Sequence, residues 1–416
     1  MPVEVLVLLR QAPYDPSSGG ARSIHSIGRL LARIRSANNI PTYRVRFLGT
    51  TATDAGLSTD DGTMLIRQAG FAPRTTELPD GRLFHFEDDG VQCTLLGTGG
   101  RCDALTKDQH TAVDRALETL IADRPPDIVL TFGASPAESL RRKRLHDLGA
   151  VVVFAVCNWG YLHAPPDFFT PNWGIDAVLF ASEFHRREYA KHVPLPAWTN
   201  VRTTPLIEEH VVATTTVEPR AVVFVNPTAD KGVLIFVRLA DELAKRRPDI
   251  PLLVVESRGT MGSLWAAAHA ACIDLSRHPR LRVIPSLPLP RDVFARTKIL
   301  LMPSVWAEPS GRLVGEALLN GIPPIVSDRG GLPGECRGAG FVIPIPPYVV
   351  PGNQLPPSVA DIEPWIATIL QLWDSPDAYA AASAAARQAA EALRPEVLQA
   401  QYGAFFAQLA TLRRQT

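Results

Sequence analysis

Two carboxylates with seven residues between them, Glu308 and Glu316, frame the stretch of this 416-residue chain best suited to chemistry. The run from Met302 to Glu335 reads MPSVWAEPSGRLVGEALLNGIPPIVSDRGGLPGE. Leu313, Ala317 and Leu318 recur at helical spacing, which predicts a helix over Arg312 to Asn320 that Gly321 stops and Pro323 and Pro324 keep from resuming. Ser310 and Gly311 stand just ahead of it. The first amides of a helix lack internal partners and carry partial positive charge, so they suit a phosphate, and Gly311 lets a ligand come close to the backbone. Glu316, more than one turn into the helix, can accept hydrogen bonds from a pair of hydroxyls, and Glu308 can do the same for a second set. A phosphate with two diol contacts suggests a nucleotide sugar. The plainer reading is two solvated glutamates, since Glu is mostly exposed.

The elements that must position these groups alternate along the chain. A first apolar strand, Val3 to Leu9, leads through a loop to Gly19-Gly20 and a helix over Ala21 to Ser36. Strand, glycine-rich loop and helix is an arrangement that brings backbone amides to a phosphate, or simply makes a turn. His25 lies one turn into that helix and can face a ligand or the core. Strands are expected at Tyr43 to Leu48, Leu83 to Phe86, Val91 to Leu96, Ile128 to Phe132, Val151 to Val156 and Ala177 to Ala181. Helices are expected over Asp108 to Ala122 and Pro136 to Leu148, and such alternation predicts a parallel sheet covered by helices on both faces. The basic run Arg141-Arg142-Lys143-Arg144 reads as a solvated helix face. Residues 211–220, VVATTTVEPR, read as a linker. Beyond it come a strand Ala221 to Val225, the turn NPTADKG, a helix Val233 to Arg246, and strands Leu252 to Glu256, Leu281 to Pro285 and Ile299 to Pro303. An alanine-rich helical tail ends the chain.

Composition narrows the classes. The chain is too long for one ordinary core, so two domains are expected. Lys+Arg and Asp+Glu balance at 42 each, which argues against nucleic acid as a partner. The five cysteines form no CxxC pair, which fits a reducing, cytoplasmic setting. No apolar run approaches the roughly 20 residues that span a bilayer, and membrane association is not expected. The oligomeric state, a homodimer included, stays open.

The block PSxxxEPxGxxxxEAxxxGxPxVxSxxGGxxE resembles the donor-binding signature of family-4 glycosyltransferases of the GT-B fold. Pro303, Ser304, Glu308, Pro309, Gly311, Glu316, Ala317, Gly321, Pro323, Ser327, Gly330, Gly331 and Glu335 carry it, and Ser310 stands where the family usually has Phe. The resemblance covers residues 221 to 400 well and the N-terminal half loosely. It implies an α/β protein of two Rossmann-like domains facing across a cleft. The N-terminal acceptor domain would span 1–212 and the nucleotide-sugar domain 213–390, with a helix over 391–416 crossing back to the first. It implies a retaining glycosyltransferase that moves a sugar from a UDP or GDP donor to a soluble acceptor such as a secondary metabolite, thiol or polyol. A GT-B epimerase and a non-catalytic nucleotide-sugar binder are the alternatives.

The resemblance also assigns residues. Glu316 and Glu308 would hold ribose and sugar hydroxyls, with Ser310, Gly311, Arg312 and Leu313 at the helix start. Lys231 matches one member of a basic pair that neutralises the leaving diphosphate, while Asn226 falls where the other, usually Arg, belongs. Arg258 or Arg312 would then supply the second charge. Gly19 and Gly20 would close on the phosphates, and the turn Ser286-Leu287-Pro288 would hold the base through its backbone. In the N-domain, Cys157, followed by Asn158, stands at the usual histidine, with His25 nearby in the same vicinity. Asp60-Asp61 and Asp88-Asp89 lack the spacing of a metal-binding DxD and read as turns. No cofactor and no metal are expected, the nucleotide sugar being a substrate.

Overall fold

The computed structural model describes all residues except 59, 80, 202–207, 353–354 and 413–416. The chain forms two compact units, Met1–Pro205 with Pro395–Thr416, and Leu206–Arg394. Both are α/β.

The first unit contains strands β1 (Val3–Leu8), β2 (Tyr43–Thr50), β3 (Arg74–Leu78), β4 (Gly81–Asp88), β5 (Val91–Leu96), β6 (Ile128–Thr131), β7 (Val151–Val156), β8 (Ala177–Phe180) and β9 (Trp198–Val201). Helices α1 (Gly19–Ala32), α2 (Thr63–Gln68), α3 (Lys107–Asp123), α4 (Pro136–Asp147) and α5 (Glu183–Ala190) connect them. The strand order is β3-β4-β5-β2-β1-β6-β7-β8-β9. β7 is apolar throughout and β6 apolar up to Thr131, and both are buried throughout, as parallel strands covered on both faces must be. The order reverses at β1, with β2 on one side of it and β6 on the other.

The expectation of an all-parallel sheet fails at one edge, where β4 runs antiparallel to both β3 and β5. Only Asp89 and Gly90 join β4 to β5, both at positive φ (52° and 83°). A two-residue turn of this kind returns the chain antiparallel, leaving no room for a crossover helix. Asp88 is therefore a strand residue rather than part of the turn. Its carboxylate is buried, accepting from the Tyr14 hydroxyl at 2.8 Å and meeting His25 Nε2 at 2.6 Å.

The basic run also departs from its expected solvated face. Lys143 and Arg144 pair on the surface with Asp147 and Glu118, but Arg142 is 1% exposed. Its guanidinium donates to the carbonyls of Trp173 and Gly133 at 2.9 and 3.0 Å and lies 5.0 Å from the Phe154 ring centre. Arg141 is buried against Asp114 and the His110 carbonyl. The run thus anchors the loop after β7 as well as facing water.

The second unit contains β10 (Ala221–Val225), β11 (Leu252–Val255), β12 (Leu281–Ile284), β13 (Thr297–Met302), β14 (Pro324–Ser327) and β15 (Phe341–Ile343). They form a fully parallel sheet in the order β12-β11-β10-β13-β14-β15, which reverses at β10. Its helices are α6 (Glu208–Val211), α7 (Val233–Arg246), α8 (Met261–Ala270), α9 (Pro290–Phe294), α10 (Arg312–Leu319), α11 (Leu332–Glu335), α12 (Val359–Asp374) and α13 (Pro376–Ala390). Residues 211–220, expected as a linker, are built into this unit: Val211 packs with Leu393, and the Val217 amide donates to the Ala295 carbonyl at 2.8 Å.

The last helix, α14 (Pro395–Leu412), belongs to the first unit and packs on α1. Tyr43 donates to the Gly403 carbonyl at 3.1 Å and its ring meets Phe406 edge-on. Leu398, Phe406 and Leu409 are fully buried, each contributing about 1.5–3 kcal/mol of apolar burial. Among the described residues no helix is long and apolar enough to cross a membrane.

The buried Asp88 carboxylate makes acid stability testable. Burial pushes its pKa up, but His25, Arg29 and the Tyr14 hydroxyl outweigh this and bring it from 3.8 to about 2. A carboxylate with a depressed folded pKa stabilises the fold above the unfolded value and loses that contribution as pH falls toward the folded one. Between pH 4 and pH 2 the wild type should lose about 2 kcal/mol that Asp88→Asn does not, read by urea unfolding at both pH values.

Candidate functional site

Arg258 and Leu287 follow β11 and β12, while Lys231, Glu308 and the start of α10 lie at the carboxyl ends of β10, β13 and β14. This is the topological switch point, where open α/β sheets bind ligands. Lys231 follows β10 and Glu308 follows β13. Their side chains meet, Lys231 Nζ on Glu308 Oε1, with side-chain exposures of 17% and 7%. Ser304 donates to the same oxygen at 2.6 Å, and Ser327 holds the Ser304 carbonyl at 2.6 Å. The indole of Trp306 faces the ammonium, with Nζ 5.2 Å from the ring centre.

Two glycines allow this meeting. Gly232 has φ +82°, and a Cβ there would lie 1.9 Å from the Pro303 carbonyl oxygen. Gly330 has φ +63°, and a Cβ there would lie 2.3 Å from the Glu308 amide nitrogen. Only glycine accepts both the left-handed backbone and the close approach. The Val305 amide donates to Asp230 O at 3.0 Å and the Gly331 amide to Glu308 O at 2.8 Å, which fixes the three loops together.

The second carboxylate is deeper. Glu316 is 1% exposed and accepts from Arg312 Nε at 2.8 Å across one helical turn. Neither is the solvated surface glutamate of the plainer reading. Gly311 leads into α10, which has no side-chain N-cap and no acidic residue in its first turn, so the helix itself supplies nothing to offset its positive end. A Cβ on Gly311 would sit 2.6 Å from Leu332 Cδ2, so this glycine also serves packing against α11. Ser310 donates to Glu335 Oε1 at 2.7 Å, a polar contact where the resemblance leads one to expect an aromatic ring. Leu313 packs against the cluster of Phe294 and Leu300, and Leu287 against that of Val223, Val255 and Val293.

Asn226 takes a structural part. It sits at φ +66°, and its Oδ1 accepts the Gly259 amide at 2.7 Å. Asparagine tolerates the left-handed region and bonds nearby backbone, which suits this turn better than arginine. The bond draws the 257–260 loop, carrying the exposed Arg258, toward the turn that carries Lys231.

In the first unit Gly19 and Gly20 open α1 behind Ser18, whose Oγ accepts the Ala21 amide at 3.3 Å. A Cβ on Gly20 would touch Cys157 Sγ at 3.4 Å, so these two candidates are neighbours. Asn158 is exposed, and its carbonyl accepts from Tyr189 at 2.8 Å and meets His185 Nε2 at 3.1 Å. His25 is 3% exposed, bound to Asp88 and enclosed by the rings of Tyr14 and Phe47, so the structure gives it a partner in the core. Among the described residues no three His, Cys, Asp or Glu side chains gather as a metal site.

The Lys231–Glu308 pair predicts an asymmetry. Lys231→Met strands a buried carboxylate and should cost about 3 kcal/mol in ligand-free urea unfolding. Glu308→Gln in the same background removes that charge and should recover most of the loss.

No protein-family model matches the sequence, and no curated protein matches it either. Solved structures match over nearly the whole chain. A glycosyltransferase from Rickettsia africae is 11% identical at a TM-score of 0.62, covering 98% of this chain and 99% of that one. HepE of Anabaena, solved with UDP-glucose, is 14% identical at 0.61, covering 97% and 99%. The catalytic domain of starch synthase IV from Arabidopsis thaliana, bound to ADP and acarbose, is 11% identical at 0.64, covering 99% of each. At such identities the likeness is one of architecture, and on it the chain has the GT-B fold of glycosyltransferases.

Proposed function

We propose that this chain transfers a sugar from a nucleoside diphosphate donor to a small-molecule acceptor, with retention at the anomeric carbon and without a metal. The observation that carries the reading is the buried Lys231–Glu308 pair at the switch point, beside a helix whose N-terminus bears no side-chain cap. HepE was solved with UDP-glucose and starch synthase IV with ADP, which supports a nucleotide-sugar donor here.

Each residue then has a role. The N-terminus of α10 receives the diphosphate, and Glu316 binds the ribose hydroxyls, exchanging part of its bond to Arg312 for them. Lys231 stabilises the charge that builds on the leaving diphosphate, where fixed positive charge lowers the barrier most. Arg312, at the start of α10, supplies the second cation, and Arg258 on the neighbouring loop is the alternative. Glu308 orients the sugar hydroxyls. The departing phosphate oxygen takes the acceptor proton as the new bond forms on the same face, so no enzymic nucleophile is required.

Thermal unfolding against UDP, GDP, ADP, TDP and CDP tests the reading. At 100 times Kd one nucleotide should stabilise the fold by about 2.7 kcal/mol, raising the melting temperature by several degrees. Glu316→Ala should abolish the shift. No shift with any nucleotide would remove the donor site, and a shift without donor hydrolysis or transfer would make the chain a non-catalytic binder.

A further inference from the structure

The first unit has its own switch point, between β1 and β6, and it carries a polar cluster that the donor reading does not use. Arg10 and Gln11 follow β1, and Glu138 lies in the first turn of α4 after β6. Gln11 is 1% exposed and Glu138 9% exposed. Gln11 Nε2 donates to Ser18 Oγ at 2.7 Å and to Asp54 Oδ1 at 3.2 Å. Only the amide nitrogen can donate to a carboxylate, so the orientation of this amide is fixed. Its Oε1 is left without a hydrogen bond.

Glu138 is similarly half used. Its Oε2 accepts the Ser135 amide at 2.9 Å and closes the capping box of α4. Its Oε1 has no hydrogen bond, nor has Arg10 Nε, and the two stand 3.8 Å apart. Gly133, at φ +99°, makes room for this carboxylate: a Cβ there would lie 2.1 Å from Oε1. A pair kept only for stability would close to hydrogen-bonding distance, since an unmet buried polar atom is costly. Arg10, with 28% of its side chain exposed, is the wall of the cluster that solvent reaches. Cys102 donates to Asp54 at 3.2 Å, and burial together with Asp54 pushes its pKa up to about 12, which leaves it a thiol and not a nucleophile.

We infer that Arg10, Gln11 and Glu138 form a subsite for a neutral polyhydroxylated acceptor, a polyol or a sugar, entering as the Arg10 side chain shifts. A hydroxyl accepts one hydrogen bond and donates another, so it satisfies Arg10 Nε and Glu138 Oε1 together, and a second hydroxyl donates to Gln11 Oε1. A carboxylate or thiolate would satisfy Arg10 but be repelled by Glu138, and a phenol, with a single hydroxyl on an apolar ring, would leave Gln11 Oε1 unmet. The inference rests on the transferase reading and narrows its acceptor.

Saturation-transfer NMR on the whole chain tests it without turnover. The probes are methyl α-glucoside, myo-inositol, p-nitrophenol and N-acetylcysteine. The two polyhydroxylated probes should receive saturation from the wild type. Arg10→Met should bind them about tenfold more weakly, the loss of a hydrogen bond to a charged group. Glu138→Gln should also weaken them, while its Gln still serves the capping box, so it carries the test if Arg10→Met does not fold. Unchanged affinity in the folded variant, or binding of p-nitrophenol or N-acetylcysteine in preference, overturns the subsite. The nucleotide shift of the wild type is scored separately, so loss of the donor reading and loss of the subsite are distinct results.

Discussion

The buried contact between Lys231 and Glu308 constrains the second unit more than any other. Two charges taken out of water are tolerable only when they meet in good geometry with further hydrogen bonds. The chain meets that condition by forcing three loops together. Gly232 brings the turn after β10 against Pro303, Gly330 brings the loop after β14 against Glu308, and Ser304 adds a hydrogen bond to the shared oxygen. The sheet order follows as a requirement, because only strands flanking the point where it reverses deliver both side chains to one place.

Under the proposed function the pair would also tie stability to ligand binding. In the proposed reaction a diphosphate beside Lys231 would compete with Glu308 for the same ammonium, which the carboxylate holds in place here. Glu316 and Arg312 repeat the device one helix later, with a bond of 2.8 Å that ribose hydroxyls would share. Under the proposed function both carboxylates would be held in place by cations until the donor displaces part of those bonds.

Much of this was legible in the sequence, for physical reasons that differ by residue. The block from Pro303 to Glu335 was readable because close backbone approaches require glycine and the buried carboxylates stand at fixed spacing. The apolar runs of β6, β7 and β10 were readable because parallel strands leave no polar face. The antiparallel edge was missed although Asp89-Gly90 announces a tight turn, since the flanking runs were read as steps of one alternating pattern. Arg142 was missed because a buried arginine bound to carbonyls and stacked on Phe154 leaves the same letters as a solvated one. His25 stayed ambiguous because its partner, Asp88, lies 63 residues away.

The two units solve one geometric problem with opposite chemistry. At the switch point of the second unit the charged pair is closed, so a ligand there would have to compete for it, which suits the strongly charged diphosphate proposed above. At that of the first unit the pair stands open at 3.8 Å, and unmet hydrogen-bonding atoms remain on both partners and on Gln11. Closure favours a ligand that brings charge, and an open gap favours one that brings hydroxyls. A donor activated by its phosphates and an acceptor known by its hydroxyls are the two substrates proposed above for these two places.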